Sequence, residues 1–172
     1  ALLEARARTD EAKNDGTTPL HVAAQSGSEL CVRALLEARA HTDEAKTDGT
    51  TPLHVAAQKH EEECLRVLLE ARARADEAKN DGTTPLYLAA QSGSEFCVRA
   101  LLEARAPTDE ARNDGTTPLY IAAQKIQCAC LRALLEARAR TDEAKNDGTT
   151  PLHVAAQSGS ELCVRALLEA RG

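Results

Sequence analysis

Histidine, cysteine and aspartate are the side chains here that could hold a metal, move a proton or attack an electrophile. The chain has five His and six Cys in 172 residues. Catalysis needs a nucleophile, a base and an orienting group at one place, so the question is whether these residues converge or merely recur. They recur. His21, His54 and His153 occupy one position of a repeating unit, and Tyr87 and Tyr120 fill it in the other copies. Tyrosine cannot replace a shared metal ligand or proton carrier of this kind, so hydrogen bonding within a loop and helix start is the expected role of these histidines. His41 and His60 are unique, and both are expected to face solvent. A His60–Cys128 partnership would join units two apart and carries little weight. No Walker loop, zinc-ligand spacing or dinucleotide fingerprint is present. The expectation is a chain without catalytic residues, cofactor or metal.

The cysteines follow the same rule. Cys31, Cys64, Cys97, Cys130 and Cys163 are 33 residues apart. Equivalent positions in stacked helical units lie about 10 Å apart, whereas a disulfide needs α-carbons within about 7 Å. Small buried core thiols are therefore expected. Free thiols in every unit fit a reducing, intracellular and cytoplasmic setting. The extra Cys128 precedes Cys130 by two residues, which on a helix turns the two side chains to different faces. A metal pair is not expected there.

What must position these residues is a repeat. The pattern Thr-Pro-Leu-His/Tyr-x-Ala-Ala-Gln begins at Thr18, Thr51, Thr84, Thr117 and Thr150, always 33 residues apart. A unit this small cannot bury its own apolar face, so copies must stack into an all-α solenoid. The boundaries read as a partial unit over residues 1–12, full units over 13–45, 46–78, 79–111 and 112–144, and a terminal unit over 145–172, all in one array.

Within unit one, Asn14-Asp15-Gly16 signals a turn. Thr18 then caps a short helix with Pro19 at its first position, where a missing N–H costs nothing. Ser26-Gly27-Ser28 ends this helix and starts a second, expected from Glu29 to Ala38. Its buried stripe is expected to be Leu30, Cys31, Ala34, Leu35 and Ala38, flanked by Val32 and Leu36. Glu29, Arg33 and Glu37 form an exposed ladder on the other side, worth about 0.2–0.5 kcal/mol per pair. A projecting hairpin-like loop should lead to Thr47, the equivalent of Asn14.

The motif Asp-Gly-x-Thr-Pro-Leu-His-x-Ala-Ala, a Gly, an amphipathic helix and Leu-Leu-Glu-Ala resembles an ankyrin repeat over essentially the whole chain. The resemblance implies antiparallel helix pairs joined by hairpin-like loops, and protein–protein binding without catalysis. It places the contact surface at the loop tips and the inner face of the first helices. In unit one these positions are Asn14, Asp15, Thr17, Gln25 and Ser26. In unit two they are Thr47, Asp48, Thr50, Gln58 and Lys59, and further along Tyr87, Gln91, Tyr120, Gln124 and Lys125. Lys59 and Lys125 replace serine on that face and permit an acidic partner. Two departures from the family pattern stand out. Arg39, Arg72, Arg105 and Arg138 stand where glycine is usual, as do Arg6 and Arg171, and each costs about 1 kcal/mol if the backbone there is left-handed. Thr42, with Thr9, Ala75, Thr108 and Thr141, replaces a usual hydrophobic residue, which suggests looser loops.

The units also alternate, as though a 66-residue double unit had been duplicated. His60 and Ile126 stand where units one, three and five have Gly27, Gly93 and Gly159, and Glu61 and Gln127 replace a serine cap. The position of Leu30, Phe96 and Leu162 is Glu63 and Ala129 in the even units. Core packing is the plainer reading of these three, and a contact patch the alternative.

Composition narrows the partners. Hydrophobic content of 42% supports a folded chain, and a net charge of −6 with closely interspersed signs builds no basic patch for nucleic acid. No apolar run is long enough to span a membrane. Two functions stay open: a protein-binding module within a longer array, with a protein partner of unknown identity, or a passive or engineered consensus-like scaffold without a dedicated partner. The absence of an atypical polar-faced unit at either end leads to an expectation of end-to-end self-association.

Overall fold

A computed structural model describes residues 9–170. Ten helices are present among the described residues, in five pairs: α1 Pro19–Gln25 with α2 Glu29–Glu37, α3 Pro52–Lys59 with α4 Glu62–Glu70, α5 Pro85–Ser92 with α6 Glu95–Glu103, α7 Pro118–Gln124 with α8 Cys128–Glu136, and α9 Pro151–Gln157 with α10 Glu161–Glu169. No strand occurs among the described residues. The odd-numbered helices stack on one another in chain order, the even-numbered helices likewise, and each pair packs within its unit. This is the all-α solenoid expected from the period.

The start signals act as read. Each of Thr18, Thr51, Thr84, Thr117 and Thr150 is an N-cap in extended backbone that accepts the N–H three residues on, with proline just inside the helix. Leu20, Leu53, Leu86 and Leu119 are fully buried beneath the caps. Close approach of the inner helices rests on the alanine pairs, of which Ala56, Ala57, Ala89, Ala90, Ala122 and Ala123 are wholly shielded.

The second helices correct the expected stripe. Cys64, Leu65, Val67 and Leu68 are buried in α4, and Cys130, Leu131, Ala133 and Leu134 in α8. The Leu30 and Ala38 positions lie outside this face. Leu30 is 78% exposed, Leu162 58% and Phe96 40%, so these three are surface residues rather than core. Cys31, expected in the core, is exposed as well. A position that accepts Leu, Glu, Phe and Ala is one that packing does not constrain. The acidic–basic ladder also runs differently. Arg33 pairs with Glu29 at 2.8 Å and then reaches Glu70 of the next unit at 3.8 Å, not Glu37, and Arg99 likewise joins Glu95 to Glu136. These pairs are solvent-exposed and screened, so they contribute little to stability.

Arg39, Arg72, Arg105 and Arg138 have φ of 67°, 65°, 63° and 64°. The left-handed terminator inferred from the departure is therefore real at all four, while Arg6 and Arg171 lie outside the described residues. The geometry is a Schellman closure. Arg39 N–H donates to the Leu36 carbonyl and Ala40 N–H to that of Leu35, both at 2.9 Å, and Ala40 tucks into the core.

The loops are better anchored than expected from the missing hydrophobic residue. Asp10, Asp43 and Asp109 accept the backbone N–H of His41, Arg74 and Arg140 in the following unit at 2.8–2.9 Å. Asp76 makes no such rung because residue 107 is proline and has no N–H to give.

Alternation goes with a difference in packing at two of the three glycines. A β-carbon on Gly27 would lie 2.2 Å from Glu61 Oε2, and one on Gly93 would lie 2.4 Å from Gln127 Oε1. The odd units leave room, and the even units fill it with the long side chain that replaces the serine cap. Ser28, Ser94 and Ser160 each accept a helix N–H, whereas Glu61 and Gln127 make no side-chain cap. His60 and Ile126 are left-handed as well, at φ of 61° and 58°. Hydrogen exchange is therefore expected to show the linkers around His60 and Ile126 opening before the linker at Gly93, since a lost cap costs about 1 kcal/mol. Equal or slower exchange there would mean that the Glu61 and Gln127 packing outweighs the cap.

Candidate protein-binding surface

The titratable column is occupied by structure. Thr51 N–H donates to His54 Nδ1 at 3.2 Å, the Thr51 hydroxyl lies 2.8 Å from the same nitrogen, and Nε2 meets the Thr83 carbonyl of the next unit at 3.0 Å. His21 repeats this with Thr18 and the Thr50 carbonyl at 2.8 Å. One nitrogen must accept and the other donate, which selects the neutral tautomer with its proton on Nε2. Burial lowers the His54 pKa to about 4, against the opposing pull of the Thr83 carbonyl, and lowers that of His21 for the same leading reason. These histidines bond within the helix start, as expected, and also reach the loop of the next unit. His153 keeps the local bonds to Thr150.

Tyr87 and Tyr120 stand in the same column and are each 4% exposed. The Arg112 guanidinium covers the Tyr87 ring at 5.4 Å and pairs with Asp81 at 2.8 Å. Neither tyrosine presents an aromatic face to a partner.

The loop tips are largely consumed too. Asp15, Asp48, Asp81, Asp114 and Asp147 accept the N–H of the threonine two residues on, which puts Thr17 and Thr50 under cover. Burial pushes the Asp81 carboxyl up, but Thr83 and the Arg112 guanidinium bring it down to about 2. Adjacent loops are laddered: Asn80, Asn113 and Asn146 donate side-chain N–H to the carbonyls of Thr47, Asn80 and Asn113 at 3.0–3.2 Å. Asn14, Asp15, Thr47 and Asp48 remain exposed at the edge.

What remains unspent is the row at the ends of the inner helices. Gln25, Ser26, Gln58, Lys59, Gln124 and Lys125 are exposed and Gln91 is half-buried. The serines partly turn inward, since Ser92 Oγ donates to the Ala57 carbonyl of the preceding unit at 3.1 Å. Lys59 and Lys125 do not. Lys79 and Lys145 sit beside aspartates, whereas Lys59 and Lys125 have no carboxylate partner among the described residues. Among those residues no three His, Cys, Asp or Glu come together to hold a metal, and no helix is long and apolar enough to cross a membrane.

The sequence reading missed one pairing. Cys128 is joined to Cys163, with α-carbons 5.5 Å apart. Comparing equivalent positions tested a spacing of 33, but this bond joins residues 35 apart. The signal was present: Cys128 opens a helix where every other unit has Glu29, Glu62, Glu95 or Glu161.

A solenoid of stacked helical repeats is the class that this fold defines. The sequence matches the family described as ankyrin repeats (3 copies) over residues 1–79, 41–110, 72–143 and 105–172. The chain belongs to the ankyrin repeat family. No curated protein matches it.

Proposed function

We propose that the chain is a protein-interaction module whose partner docks along the ends of the inner helices and the loop edge. The array is one domain over residues 1–172, with the unit boundaries given above. The observation that carries this reading is the pair Lys59 and Lys125, exposed and without a carboxylate partner among the described residues, on a row whose serines turn inward to backbone carbonyls while its glutamines stay open. Two ammonium groups two units apart, flanked by Gln58 and Gln124, suit an acidic partner surface, since charge on a rim steers encounter and fixes register. Asn14, Asp15, Thr47 and Asp48 extend the surface at the edge. Tyr87, Tyr120, Thr17 and Thr50 support it from beneath rather than touch the partner. Its setting is intracellular, which suits the free thiols Cys64, Cys97 and Cys130.

Capture from an extract of the source cells tests the reading. One saturable partner at fixed stoichiometry, released by salt, is the expected result. Persistent absence of any such partner favours the passive scaffold instead.

A further inference from the structure

Three of the four interfaces between consecutive second helices share one arrangement, and the fourth breaks it. Glu29, Glu62 and Glu95 hold the first position of α2, α4 and α6, and the following second helix carries Cys64, Cys97 and Cys130 at its third position, each buried among nearby carboxylates. At the last interface the first position, on α8, is Cys128, and its sulfur meets Cys163. The second and fourth interfaces share a serine neighbour: Ser94 Oγ donates to Glu62 Oε1 at 3.3 Å, and Ser160 Oγ lies 3.4 Å from Cys128 Sγ. A carboxylate has been exchanged for a thiol at a place where the next unit already offers a thiol.

We infer that Cys128 and Cys163 are a reversible thiol–disulfide clip that fastens the fifth unit to the fourth, with a low-molecular-weight disulfide such as oxidised glutathione as oxidant. Cys128 is half-buried and Cys163 fully buried, so Cys128 is the entry point. Its thiolate attacks one glutathione sulfur and expels the other glutathione as a thiolate, which takes up a proton. Cys163 then gives up its proton to solvent, attacks Cys128 Sγ and expels the second glutathione. Two protein thiols lose two electrons, and one glutathione disulfide becomes two thiols. Excess reduced glutathione runs the same steps backwards. Selectivity follows from the other cysteines. Cys64, Cys97 and Cys130 are buried, their thiols held up by burial first and by nearby carboxylates, with Cys64 and Cys130 at about 11. Cys31 is exposed but unbonded. The clip spans α8 to α10, so its effect falls on the fifth unit whatever partner the inner row binds.

The test uses the full chain in glutathione buffers of graded ratio, blocked with iodoacetamide and cut with trypsin. The expected product joins peptide Ile126–Arg132 to peptide Asn146–Arg165, and excess reduced glutathione removes it. A Cys130→Ser variant still forms the link, and Cys128→Ser does not. Amides of α9 and α10 exchange at least tenfold more slowly in the oxidised chain. Cys128→Glu, which restores the arrangement of the other interfaces and guards against a folding defect in the serine variant, shows one exchange rate in both buffers. Three results overturn the inference: Cys128 fully alkylated in oxidised glutathione, a link that resists excess reduced glutathione, or a link that leaves α9 and α10 exchange unchanged.

Discussion

Replacing Arg39, Arg72, Arg105 and Arg138 together by glycine is expected to raise stability by about 2–4 kcal/mol. Each arginine holds a positive φ near 65° at the residue after a second helix. A β-carbon there costs about 1–2 kcal/mol, and the extra freedom of glycine in the unfolded chain offsets part of the gain. The four sites lie in separate units and none makes an ion pair among the described residues, so their effects should nearly add. A thermal melt should shift upward on the order of 10 °C for a chain of this size. Single Arg72→Gly should give about a quarter of this. A fall in melting temperature would show that the guanidinium groups hold the helix ends by more than the backbone loses.

The second large effect is acid destabilisation through His54. Its neutral ring accepts at Nδ1 from Thr51 N–H, so a proton added there would set two donors face to face. The folded pKa of about 4 lies below the ordinary value of 6.5. Between these limits the unfolded chain binds a proton that the folded chain refuses, so stability is full above pH 6.5 and falls as pH drops toward 4. The loss amounts to about 3 kcal/mol at pH 4. His21 adds to it in the same direction. The aspartates of the turns act lower, since Asp81, at about 2, loses its contribution only below the ordinary carboxylate range. His54→Tyr is the informative variant because Tyr87 and Tyr120 already fill this column. Unfolding free energies from denaturant titrations at pH 7 to pH 4 should fall about 3 kcal/mol less in the variant than in the parent chain. Superimposable pH profiles would remove His54 as the cause.

The architecture was legible because period and signals agree at every level. Thr18 caps, Pro19 opens the helix and the alanines pack, and the same three statements hold in each copy. The left-handed arginines were legible as departures from a glycine pattern. The second-helix face was not, since Leu30 reads as core by hydrophobicity while the stack buries the Val32 column and leaves Leu30 to solvent. A single unit carries no information about which side its neighbours occupy. The loop anchors Asp43 and Asp109 escaped notice for a related reason: their partners are backbone N–H groups one unit on, which have no sequence signature. The binding row was legible only as positions. Which of these are free depends on ladders and covers such as Asn80 on Thr47 and Arg112 on Tyr87, and those exist only after stacking.

Lys59 and Lys125 carry the functional reading, so their charge is the quantity to change. With the captured partner in hand, its affinity should be measured for the parent chain, for Lys59→Glu with Lys125→Glu, and for Glu103→Lys on the outer helices. Two rim charges reversed against an acidic surface should raise the dissociation constant at least about tenfold and flatten its salt dependence. The outer-face change should leave it within about threefold. An unchanged affinity in the double variant, or a larger loss from Glu103→Lys, would contradict the placement of the partner on the inner row.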